Sequence, residues 1–122
     1  MKVKSYRDLE VWQKSIDLVV ECYRTSERFP PREIYGLTSQ LRRAAISVAA
    51  NIAEGQGREH TREFLHHLAI AYGSLMEAET HLLIAARLSL LPEASLQALL
   101  RRSGELGRLL NGLIRALKHI LS

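Results

Sequence analysis

From Tyr35 to Gly57 the chain carries the stretch that most limits how it can fold. Leu37, Leu41, Ala44, Ala45, Val48 and Ile52 recur at spacings of three and four, which puts them on one face of a helix. Gln40, Arg43, Ser47, Asn51 and Glu54 form a narrow polar stripe beside that face. Ile46, Ala49, Ala50 and Ala53 fill most of the remaining circumference. A helix resting on the surface of a core needs one apolar stripe and leaves the rest polar. One that is apolar nearly all round has to be covered on more than one side, and one protomer need not supply all the cover.

The rest of the chain repeats the helical period. Leu9, Trp12, Ile16, Val19, Val20 and Tyr23 share a face in the first segment, with Val11, Leu18 and Cys22 as a smaller stripe on the far side. That second stripe reads equally as scattered surface hydrophobes or as a subunit contact. Pro30-Pro31 ends the segment. Thr38 or Ser39 is positioned to cap the second helix, and Gly55 and Gly57 suit its end. Phe64, Leu68, Ala71, Leu75, Ala78 and Leu82 define a third helix, widened by Leu65, Tyr72, Leu83 and Ala86. After Pro92, Leu96, Leu99, Leu106, Leu110, Leu113, Leu117 and Ile120 define a fourth, in which Gly104, Gly107 and Gly112 mark close backbone approach or local flexibility. Period-two alternation is missing. The spacing predicts an all-α, antiparallel up-down four-helix bundle, one domain over 1–122 with helices near 6–28, 37–55, 61–89 and 93–120.

Composition fits that reading and excludes several others. With 6% aromatic residues, the core has to be built from Leu, Ile, Val and Ala. A single cysteine, Cys22, rules out an internal disulfide and suits a reducing compartment. No apolar run reaches the ~18 residues of a membrane span, and the start lacks the apolar segment of a signal peptide, so the cytoplasm is the expected location. A net charge of +4 permits a nucleic-acid partner without requiring one.

Several separated motifs carry a family resemblance. They are Leu9-Glu10-Val11-Trp12-Gln13-Lys14, Phe29-Pro30, the run from Gly36 to Ala44, Asn51-Ile52-Ala53-Glu54-Gly55 with Arg58, and Gly73-Ser74-Leu75 with Glu77 and Glu79. In this order they resemble the bacterial four-helix-bundle family named for proteins encoded in intervening sequences of 23S ribosomal RNA genes. The resemblance covers roughly residues 5–91; beyond that the last helix agrees only in length and pattern. Val48-Ala49-Ala50 departs mildly from the bulkier or proline-containing step usual before Asn51. The resemblance implies a ring-shaped homopentamer. The family it resembles also includes the accessory protein of diversity-generating retroelements, a basic pentamer that binds their reverse transcriptase and RNA.

Few residues are arranged for chemistry. Glu79 lies on the apolar stripe of the third helix, seven residues after Tyr72. A carboxylate there needs a cation or a hydrogen-bond donor, and Arg43 and Asn51 are the partners the second helix offers. A catalytic reading would make Glu79 a general acid beside Glu54 or Glu77. The absence of a nucleophile or phosphate loop favours a structural ion pair. His60, His66, His67 and His81 cluster loosely, with Glu63 one turn before His67. Adjacent His66 and His67 diverge by about 100°, and no Glu-x-x-His repeat supports a di-iron site, so neither a metal nor a cofactor is expected.

The basic residues are better ordered. Arg101, Arg108 and Arg115 recur every seven residues on the fourth helix, with His119 one turn further. Each step rises roughly 10 Å, which suits a phosphate backbone. Arg42, Arg58, Arg62 and Arg87 add charge near helix ends. With few aromatics to stack on bases, contact with RNA or DNA should be phosphate-dominated and salt-sensitive. The expected function is therefore non-enzymatic: an oligomeric accessory protein binding nucleic acid. A protein–protein scaffold without nucleic-acid binding is the rival reading.

Overall fold

The computed structural model describes residues 5–122, and these form four α-helices joined by short connections. They are α1 (Glu10–Ser26), α2 (Leu37–Gly57), α3 (Thr61–Arg87) and α4 (Glu93–Leu121), with single 3₁₀ turns at Tyr6–Asp8 and Pro31–Glu33. Sequential helices pack antiparallel, and α4 returns against α1, where Lys14 Nζ meets Glu105 Oε1 at 3.0 Å. The core between them is almost wholly aliphatic. Leu18, Leu41, Val48, Ile52, Leu68, Leu75, Leu82, Leu106 and Leu110 are fully buried.

The connections explain where each helix stops. Phe29 is buried against the core, and Pro30, with no N–H to donate, leads into the 3₁₀ turn. Neither Thr38 nor Ser39 caps α2. Gly36 is the cap residue, and the Glu33 carboxylate accepts from the Leu37 N–H at 3.2 Å. Between α2 and α3 the chain reverses in three residues, with Glu59 at φ 62°. The end of α3 is a Schellman motif: the Leu90 N–H donates to Ala85 O at 2.9 Å and the Ser89 N–H to Ala86 O at 3.0 Å. Ser89 sits in the left-handed region at φ 62°, where glycine is usual. Pro92 is the residue before the first turn of α4.

Helix α1 lies on the core differently from its predicted orientation. Val11, Ser15, Leu18, Cys22 and Ser26 form its buried stripe. Leu9, Trp12 and Val19 flank that stripe, while Val20 and Tyr23 are exposed. The two apolar rows exchange roles because Ser15 and Ser26 complete the second one. Their hydroxyls donate to carbonyls one turn back, Trp12 O at 2.6 Å and Tyr23 O at 3.2 Å, so burying them leaves no donor unmatched. Counting only apolar side chains hides such a row.

Helix α2 presents the expected face inward and adds Thr38, Ala49 and Gly55 to it. It continues to Gly57, two residues past its expected end. Gly55 serves close packing instead of a cap, since a Cβ there would lie 2.7 Å from His67 Cβ on α3. On the opposite side Ile46 is 43% exposed and Ala50 is open, so one protomer does not cover the back of this helix.

Candidate nucleic-acid interface

The buried positions of α4 are Leu96, Leu99, Ser103, Leu106, Gly107 and Leu110. At about 100° per residue, Arg101 and Arg108 then project almost directly away from the core, with Arg115 slightly to one side. All three are exposed, and the set spans fourteen residues, roughly 21 Å. Among the described residues no carboxylate lies within ion-pair distance of any of them. Glu105, the acid nearest the row in sequence, is engaged by Lys14 of α1. That hydrogen bond and the Glu105 charge hold the Lys14 ammonium above its ordinary range. Gly104 leaves room for the Arg108 guanidinium to lie back along the helix.

The other basic candidates are placed differently. The Arg42 Nε donates to Ser26 Oγ at 2.8 Å, and its Nη2 approaches Tyr23 O at 3.4 Å. Its guanidinium lies 4.4 Å from the centre of the Tyr23 ring, so it ties α2 to the end of α1. Arg58 donates to Glu54 Oε2 at 2.8 Å in an exposed i,i+4 pair. Arg62 is exposed at the start of α3, on the edge of the groove between α3 and α4. The six arginines therefore form one open row on α4, a solvent-facing Arg62, and two residues already engaged within the protomer.

The polar stripe of α2 resolves into a hydrogen-bonded seam against α3. Ser47 Oγ and Ser74 Oγ are 2.8 Å apart. The Asn51 amide donates to Ser47 O at 2.9 Å, and Asn51 Oδ1 accepts from His67 Nδ1 at 3.0 Å. That assignment puts a proton on Nδ1 and turns Nε2 toward Glu54 Oε2 at 3.7 Å. The Arg58 hydrogen bond, and then the charge on His67, hold the Glu54 carboxyl below its usual range. Gln40 and Arg43 remain exposed at the other end of the stripe, beside Ser47 and Glu77.

Glu79 takes no part in this seam. Its carboxylate accepts from the Ser103 hydroxyl of α4, so neither Arg43 nor Asn51 is its partner, and the expected ion pair is a hydrogen bond to a buried serine. Serine at a core position was again the residue that an apolar count passes over, as were Ser74 and His67 in the seam. The histidines do not converge. His67 and His81 each face one carboxylate, and no group of three metal-ligating side chains occurs among the described residues. No helix there is long and apolar enough to cross a membrane. Burial pushes the Cys22 thiol up to about 12, which keeps it unreactive.

Comparison with known proteins bears on the fold and the family. The chain is similar to a crystal structure of a protein of unknown function from the S23 ribosomal protein family of Bacteroides thetaiotaomicron. The two share 23% identity at a TM-score of 0.79, over 86% of this chain and 95% of that one, a likeness that speaks to fold alone. No curated protein matches. The family description that matches is "23S rRNA-intervening sequence protein", over residues 7–112, which includes much of α4 as well as the quoted motifs. With that match spanning most of its length, the chain belongs to the 23S rRNA-intervening sequence protein family.

Proposed function

We propose that this protein is a non-enzymatic, homo-oligomeric helical protein that binds RNA or other nucleic acid as an accessory factor. The observation that carries the reading is the outward arginine row of α4, open to solvent and without acidic partners among the described residues. Its steps of roughly 10 Å suit contacts spread along a phosphate backbone, and nothing near it is built to read base edges. Uncovered Ile46 and Ala50 favour assembly through the back of α2. In a ring of five, a protomer charge of +4 would sum to roughly +20 and raise the local potential accordingly. Service to a reverse transcriptase is one specific form of this role.

An electrophoretic shift series with structured RNA and with DNA across salt concentration tests the binding. The expected result is retention at low salt that fades steeply as salt rises. Arg101→Glu, Arg108→Glu and Arg115→Glu combined should abolish it while helix content is unchanged. The rival reading, a protein–protein scaffold, draws on the exposed pairs that balance charge on α1 to α3, such as Arg24 with Glu21 and Arg58 with Glu54. Absence of any shift at low salt selects the scaffold. Light scattering that reports a monomer at micromolar concentration removes the ring.

A further inference from the structure

We infer that the outer groove between α3 and α4 docks an amphipathic helix of a partner protein, with that helix's carboxylates over the start of α3 and the end of α4. At this end a cavity of about 460 Å³ is lined by half-buried Leu65, Tyr72 and Ile114, with Arg62, His66 and Lys118 exposed around it. No carboxylate lines it. Among the described residues neither Arg62 nor Lys118 is paired with an acid.

At the other end of the same two helices, a second cavity of about 580 Å³ is lined by Leu83, Ile84, Leu88 and Leu96. Leu83, Ile84 and Leu88 are each more than two-fifths exposed. Leu65, Ala69, Tyr72, Met76 and Leu83 follow one another along α3 at steps of three, four and seven, so an apolar row joins the two cavities. Between them buried Gly107 brings α4 close to α3 beneath the Tyr72 ring.

A long apolar row with a cationic rim at one end is the geometry of helix-in-groove recognition, in which anchors at i, i+3 or i+4 and i+7 enter the groove. Charge sets the occupant's direction. Arg62 and Lys118 stand at one end, whereas Glu79 lies midway and Glu93 lines the far cavity beside Arg87. An acidic segment is matched only at the first end. The apolar lining favours a protein segment over nucleic acid, whose affinity comes from its phosphates.

The probe is a fluorescein-labelled synthetic helix of about 18 residues, roughly 27 Å long, with leucines on one face and glutamates clustered near one terminus. Fluorescence anisotropy should show micromolar binding, weakened about tenfold by Lys118→Glu or Ala69→Glu. The same peptide with lysines in place of glutamates should not bind. The Arg101, Arg108 and Arg115 triple variant should keep the peptide, which separates this site from the proposed nucleic-acid row. No binding, or equal binding by wild type and both groove variants, overturns the inference. So does an RNA oligonucleotide that displaces the peptide and itself loses affinity in Ala69→Glu. A shift from oligomer to monomer in Ala69→Glu also overturns it, because the groove would then be filled by a second copy.

Discussion

Two glycines in helical segments should respond to the same substitution with opposite signs. In an isolated helix, Gly→Ala stabilises by about 1 kcal/mol. At Gly112 nothing lies within 4 Å of the added Cβ, so Gly112→Ala should realise close to that gain. At Gly55 the added Cβ would lie 2.7 Å from His67 Cβ and 3.1 Å from Phe64 Cδ1. Carbon atoms rest at about 3.5–4.0 Å, so α2 and α3 must separate locally by roughly 1 Å. His67 Cβ is fixed to the backbone and has no rotamer through which to escape. Overpacking of this kind costs about 1–3 kcal/mol, and separation also stretches the 3.0 Å bond between Asn51 and His67. Subtracting the propensity gain leaves roughly 0–2 kcal/mol from packing, and the stretched hydrogen bond brings the destabilisation of Gly55→Ala to about 1–2 kcal/mol. For a chain of this length that is a fall in Tm of several degrees, against a rise for Gly112→Ala. Thermal and urea unfolding followed by circular dichroism, at one protomer concentration for all variants, measures both. If Gly55→Ala raises stability as much as Gly112→Ala does, the close approach of α2 to α3 is wrong.

Other substitutions probe the remaining features. Ser89→Gly should stabilise by about 1 kcal/mol, since glycine adopts the left-handed conformation at φ 62° without steric cost; a lower urea midpoint would refute this. Ser103→Ala strands the Glu79 carboxylate and should cost about 1–2 kcal/mol, more than Glu79→Gln, which keeps an acceptor for the serine; the reverse order would show that the bond does not hold α3 to α4. Burial raises the Cys22 thiol from 9.0 to about 12, so the protonated form is favoured in the fold. That contribution is complete below pH 9 and is lost as pH climbs from 9 toward 12. Unfolding midpoints from pH 8 to 11 should therefore fall less steeply in Cys22→Ala than in wild type, and the wild-type thiol should resist Ellman's reagent until urea unfolds the chain.

Much of the architecture was legible along the chain. Periods of three and four located all four helices, and Pro30-Pro31 and Pro92 marked breaks that the structure keeps. The inward faces of α2, α3 and the first part of α4 follow from Leu and Ala spacing. Orientation of α1 was not legible, because two apolar rows competed and the deciding residues were the serines that fit beneath close-packed neighbours. The partner of Glu79 was hidden for the same reason: Ser103 is polar in sequence but buried in the fold. The basic row on α4 was visible as a heptad spacing, whereas the engagement of Arg42 by Tyr23 and Ser26 joins residues sixteen and nineteen apart.

The sequence by itself determined helix number, helix order and the family, because periodicity and local motifs are properties of neighbours along the chain. Tertiary structure decided which of two faces of α1 is buried, which polar residues pair, and which arginines stay open. Those outcomes depend on contacts between segments that are remote in sequence. At such contacts a hydroxyl with an internal acceptor is buried as readily as a methyl group, and a missing Cβ sets how closely two helices approach.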